Sequence, residues 1–161
     1  ALVQQEYEYN WKNGLFKIQK RIIYAIEAVL DIALNAGNLP VQNISIAKRQ
    51  GIPKRYLEQT LQVLVKCSIL VASRGPRGGY RLAKERRKIK ISDIIKSVSD
   101  NNDTNDFYKS TLSKLFIEPI ISDVFDKCMI GLDEISIEDV YNKVKKNKNY
   151  IPKKKNVDFV I

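Results

Sequence analysis

Residues 74–82, Arg74-Gly75-Pro76-Arg77-Gly78-Gly79-Tyr80-Arg81-Leu82, put three arginines and three glycines into nine positions between short apolar segments. Gly78-Gly79 offers the positive-φ freedom that a two-stranded hairpin tip uses, and lets a backbone approach a ligand closely. The guanidinium groups are charged at every physiological pH. The chemistry of such a tip is contact with a polyanion, with Arg74, Arg77 and Arg81 along a minor groove or its phosphates. Taken alone, the same turn also describes a solvated hairpin.

Positioning such a tip requires a scaffold, and the preceding residues supply one. Gly51 is placed to end one short helix in the left-handed C′ position, and Pro53 to open the next. Leu57, Leu61 and Leu64 then recur as one apolar stripe. Lys54, Arg55, Glu58 and Gln59 fall off that stripe, in the N-terminal turns from which a recognition helix reads base edges. Tyr56 shares those turns and reads equally as a DNA contact or a core residue. Lys20, Arg21, Lys48 and Arg49, near the ends of the first helices, are expected to add phosphate contacts. Two helices joined by a glycine turn and followed by a basic hairpin form a winged helix-turn-helix.

Three segments make this specific: residues 24–34 (Tyr24 to Leu34), then Arg49-Gln50-Gly51-Ile52 with Tyr56-Leu57-Glu58-Gln59, then Arg74 to Tyr80. Their order and spacing resemble the IscR-like winged-helix transcription regulators, strongly over residues 18–98 and in pattern only over about 111–141. The resemblance implies a DNA-binding homodimer acting as a repressor or dual regulator. In many members it also implies an iron–sulfur sensor.

The sensor is where the sequence departs. Cluster-binding relatives carry three cysteines in the loop before the long dimerisation helix, whereas residues 99–118 here contain none and the whole chain has no histidine. Leu115 and Glu118 stand where the resemblance would put a cysteine and a histidine. The two cysteines, Cys67 and Cys128, are far apart in sequence and read as small buried hydrophobes. No metal and no cofactor is therefore expected, since iron–sulfur clusters need several thiolates or imidazoles.

Charge segregates by region. Residues 12–90 carry 17 Lys/Arg against 4 Asp/Glu, residues 97–141 carry 3 against 10, and residues 142–161 carry 7 against 1. The basic part coincides with the helix-turn-helix and hairpin, as an electrostatic footprint on nucleic acid should. The absence of histidine removes most nucleophile–base pairs, and no phosphate-binding GxxxxGK[ST] loop occurs. An enzyme is not expected. No apolar run approaches the roughly 20 residues of a membrane span. Residues 1–17 mix Glu6, Glu8 and Lys12 with Tyr7, Tyr9, Trp11 and Phe16, unlike an export signal. Two unpaired cysteines suit a reducing compartment, so a cytoplasmic, nucleoid-associated protein is expected.

The expected fold is mainly α with a small β-hairpin wing, followed by a long C-terminal dimerisation helix. Residues 1–17 read as an N-terminal extension, 18–98 as the winged-helix domain, 99–110 as a polar loop, 111–146 as dimerisation helices and 147–161 as a basic tail. Helices are expected near 18–36, 43–50, 53–67, from a Ser92 cap to Val98, from Pro119 to Gly131, and at 137–146 behind a Ser136 cap. Ile120, Ile121, Val124, Phe125, Cys128, Met129 and Leu132 give the long helix more apolar surface than its own subunit covers, which predicts a twofold helix–helix dimer. The function expected is a cluster-free dimeric regulator of transcription, acting as a repressor on a palindromic operator in double-stranded DNA. A winged helix reused as a structural component of a nucleic-acid assembly, or a regulator signalled through a protein partner, are the alternatives.

Overall fold

The computed structural model describes residues 18–99 and 109–150. Among the described residues, six α-helices run in the order α1 (Lys20–Leu34), α2 (Asn43–Gln50), α3 (Lys54–Lys66), α4 (Ile91–Val98), α5 (Glu118–Asp133) and α6 (Ile137–Lys146). Strands β1 (Leu70–Ser73) and β2 (Gly79–Leu82) lie between α3 and α4.

Helix α1 is the spine, and α2, α3, α4, α6 and β2 all pack on it. Its buried face is Ala25, Ala28, Val29, Ile32 and Ala33, whose small side chains let neighbouring helices approach closely. Ile23 points outward, so the helix is not buried all round. Leu57, Leu61 and Leu64 of α3 are fully buried against it, as their i, i+4, i+7 spacing requires.

Gly51 ends α2 at φ +67, and Pro53 precedes the first turn of α3. At the far end of α3, Ser68 adopts φ +59. The Ser68 amide donates to the Val65 carbonyl and the Ile69 amide to the Leu64 carbonyl, closing a Schellman turn without glycine. This turn swings the chain into β1, which pairs antiparallel with β2 in the register Leu70↔Leu82 to Ser73↔Gly79. Val41 exchanges both backbone hydrogen bonds with Tyr80 at 2.8 and 2.9 Å, adding a third edge to the hairpin. That pairing had no signal in the sequence, because a one-residue bridge has no periodicity.

Helix α4 begins at Ile91, one residue before the expected cap. Asp93 accepts the Lys90 amide at 3.0 Å, while the buried Ser92 hydroxyl donates to Asp133 at 2.6 Å and so ties α4 to the end of α5. Ser136 does cap α6: its Oγ accepts the Asp139 amide and the Asp139 carboxylate accepts the Ser136 amide. Backbone bonds from Ile91 to Ile135 and from Ile137 to Ile89 fasten this corner, and Ile137 is fully buried in the core. Helix α6 therefore belongs to the winged domain rather than to a separate 111–146 appendage, because its apolar face is covered by α1.

Helix α5 is preceded by a π-helical turn, Ser113–Ile117. Pro119 stands two residues past its end, so the residue lacking an N–H falls just where the hydrogen-bond register has been shifted. Pro119 thus lies in the first turn of α5, as expected, one residue after the helix begins at Glu118. Ile120, Ile121, Val124, Phe125 and Ile130 are exposed, Met129 is half-buried, and Leu132 packs partly against the core. Both cysteines are exposed, contrary to the buried positions expected of them. Cys67 sits at the α3 C-cap, beyond the buried stripe, and Cys128 lies on the uncovered side of α5.

Candidate nucleic-acid interface

The first turn of α3 presents Lys54, Arg55 and Tyr56, followed by Glu58 and Gln59, and all five are exposed. No acidic side chain occupies that first turn. The unpaired N–H groups of a helix N-terminus carry partial positive charge, so placing two cations there is locally unfavourable unless an anion is bound. Tyr56 is 60% exposed, which removes the core reading for it. Its carbonyl instead accepts the Thr60 hydroxyl at 2.8 Å. Glu58 receives a 3.4 Å hydrogen bond from Asn43 at the start of α2, which steadies a carboxylate among the cations.

The wing set divides in two. Arg74 and Arg77 are exposed around the tip. Arg81 faces the body: its Nη1 donates to the Gly37 carbonyl at 2.8 Å and its Nη2 to the Asn38 carbonyl at 2.6 Å. It clamps the wing root to the loop between α1 and α2 and so positions the wing. The glycines are also reassigned. A Cβ on Gly78 would collide with the Ser73 carbonyl, and one on Gly79 (φ +156) would lie 2.5 Å from the Val41 carbonyl. The close approach these residues permit is to the chain itself. The tip turn is made at Gly75, φ +100, whose carbonyl accepts the Gly78 amide at 2.9 Å.

Arg49 is likewise internal. Its Nε and Nη2 donate to the two oxygens of Asp31 at 2.9 and 2.7 Å, and Gln50 adds a third bond at 2.8 Å. The hydrogen bond to Asp31 raises the Arg49 pKa further above its ordinary value. Lys48, on the other side of α2, is exposed. Lys20 is exposed at the start of α1, and Arg21 beside it donates to Gln19 at 2.7 Å. A cleft of about 490 Å³ runs between the start of α2 and the wing tip, lined by Gln42, Ser45, Arg49, Pro76 and Arg77 among others. The Gln42 amide reaches the Pro76 carbonyl at 3.4 Å across it. Recognition helix and wing tip are thus held on one framework.

The residues do not fit an iron–sulfur cluster. The chain has two cysteines and no histidine, and among the described residues no three His, Cys, Asp or Glu side chains converge as metal ligands. Leu115 is 62% exposed, and Glu118 supplies a hard oxygen ligand poorly matched to sulfide-bridged iron.

A basic helix-turn-helix with a clamped wing defines a winged-helix nucleic-acid-binding fold. The Rrf2 family, described as an iron-dependent transcriptional regulator, matches residues 18–143, and the chain belongs to it. It is 41% identical over 80 residues to the HTH-type transcriptional regulator IscR of Cronobacter sakazakii, a stretch that is 50% of this chain and 49% of that protein. The chain thus spans about half the length of the curated relatives it matches. Among solved structures it is similar to T. potens IscR, at 30% identity and TM-score 0.64, covering 84% of this chain and 93% of that one. It is also similar to CymR, the global cysteine regulator of B. subtilis, at 25% identity and TM-score 0.58, covering 79% and 97%. These relatives are transcriptional regulators and not enzymes. Among the described residues, no helix is long and apolar enough to cross a membrane.

Proposed function

We propose that the chain is a cytoplasmic regulator of transcription that binds double-stranded DNA as a homodimer and represses by occupying a palindromic operator, without an iron–sulfur cluster. The observation that carries this reading is the first turn of α3, where Lys54 and Arg55 crowd an uncompensated helix N-terminus beside exposed Tyr56 and Gln59. Nucleic acid supplies the missing anions. Arg55 suits guanine and Gln59 suits adenine in the major groove, with Glu58 accepting from cytosine. Arg74, Arg77, Lys48 and Lys20 serve phosphate and minor groove. The exposed apolar side of α5 supports pairing with a second copy, which would set two recognition helices about one DNA turn apart.

The test is a comparison of operator and random duplex. Arg55→Ala and Gln59→Ala should each reduce the preference by about 1–3 kcal/mol. Equal weakening on all sequences would refute the assignment. Phe125→Asp should convert a dimer to a monomer in sedimentation, and an unchanged mass would remove α5 from the interface.

A further inference from the structure

A cleft of about 670 Å³ lies behind the wing, away from the recognition helix, between the end of α1, β2, the turn at Arg86–Lys88 and the start of α6. That volume falls in the range of small-molecule sites. Its floor is apolar, with Ile32 and Ala33 from α1, Val41 from the bridge and Leu82 from β2. Leu39 stands at the same cleft with 58% of its surface exposed.

The rim carries a charge surplus. Four of its lining residues are cationic (Arg81, Lys84, Arg86 and Arg87) and two are acidic (Glu85 and Glu138). Arg86 is fixed by Glu138 at 2.7 Å and by the Tyr141 ring at 3.7 Å. Arg87 pairs with Glu85, but both side chains are more than half exposed. An ion pair of that kind is worth little and yields to a competing anion. Lys84 is exposed and makes no ion pair among the described residues.

We propose that this cleft binds a small organic carboxylate with an apolar body, its chain over Ile32, Val41 and Leu39 and its carboxylate at Lys84 and Arg87. The site would be an effector site. One of its walls, β2, is the strand that Arg81 and the Val41–Tyr80 bridge fasten to the body. A ligand spanning α1 and β2 adds contacts only while the wing is docked, so it favours that state. This last step rests on the DNA-binding reading given above; occupancy of the cleft does not.

The experiment uses octanoate with the full chain, followed by methyl NMR. Saturable one-to-one binding is expected at about 0.1–1 mM, the range for a ligand of about ten heavy atoms, with shifts at Ile32, Val41 and Leu82. Neutral octanamide should bind about tenfold more weakly, as should octanoate to Lys84→Glu. Ala36→Trp, which fills the mouth from an exposed position, should abolish the shifts. No saturation, or binding that neither variant changes, would overturn the site and move any association to the apolar side of α5. Octanoate should also tighten operator binding of the wild-type chain by about threefold or more, with reciprocal tightening of octanoate by operator. Ligand binding with unchanged operator affinity would overturn the effector role alone. If no duplex is bound at all, the DNA reading fails while the NMR result still decides the site.

Discussion

Arg49 and Asp31 form a two-pronged ion pair that joins the first helix of the helix-turn-helix to the spine. The Asp31 side chain is wholly buried and that of Arg49 is 13% exposed. With Gln50 as a third donor, the carboxylate is satisfied without water. Removing one partner of such a pair leaves a buried charge alone. Asp31→Ala should destabilise the chain by about 3–5 kcal/mol, read as a lower midpoint in urea. Arg49→Leu strands the carboxylate instead and should cost a comparable amount. A loss below about 1 kcal/mol in both would show that the pair is solvated.

Arg77 and Arg81 are four residues apart and should behave oppositely. Arg77→Ala should leave the melting temperature unchanged and lower the salt slope of DNA binding by about one unit. Arg81→Ala removes two bonds to backbone carbonyls, so it should lower stability and loosen the wing, with amide exchange at Val41 and Tyr80 accelerating. Identical effects from the two substitutions would contradict the division of the wing.

The difference between those two arginines shows where the sequence stopped being readable. The Leu57, Leu61 and Leu64 stripe, the Gly51 stop and the Ser136 cap are local patterns, and the corresponding elements lie where periodicity and capping put them. What arginine side chains do depends on neighbours far away in sequence. Arg49 reaches back 18 residues to Asp31, and Arg81 reaches back more than 40 to Gly37 and Asn38. An Asp inside an apolar helix such as α1 was a signal for the first pairing, since a buried carboxylate requires a partner. No comparable signal marked the Arg81 clamp, because backbone carbonyls are available everywhere. The glycines misled in the same way: their small size serves packing against Ser73 and Val41. Cysteine is usually a buried residue, yet Cys67 at the α3 C-cap and Cys128 on α5 both face away from the core.

The Ser136 cap makes a prediction about acid. Hydrogen bonds from the Ser136 backbone and hydroxyl hold the Asp139 pKa below its ordinary value. A depressed carboxylate contributes stability that is complete above the unfolded value, near pH 4, and is lost as pH falls through the lower folded value. The start of α6 should therefore loosen below about pH 4, seen as loss of protection at the Ser136 and Ile137 amides. Asp139→Asn should show that loosened state at neutral pH and abolish its acid dependence. A wild-type corner that stays protected to pH 2 would refute the role of the carboxylate.

The last prediction concerns iron. The two thiols are exposed on different elements, Cys67 after α3 and Cys128 on α5, and the chain offers no imidazole. Two Cys128 side chains brought together across a dimer would still provide only two soft ligands, where a cluster takes four. Protein purified without oxygen should be colourless and should bind operator equally with or without added iron and sulfide. Changing both cysteines to serine should leave DNA affinity within about tenfold, and because both sites are exposed the stability cost should stay within about 0.5 kcal/mol. A brown anaerobic preparation that loses its colour with Cys128→Ser would overturn this, since it would require ligands supplied from outside the chain. The cleft behind the wing, which meets both the spine and β2, is the surface proposed above to receive a signal in place of iron.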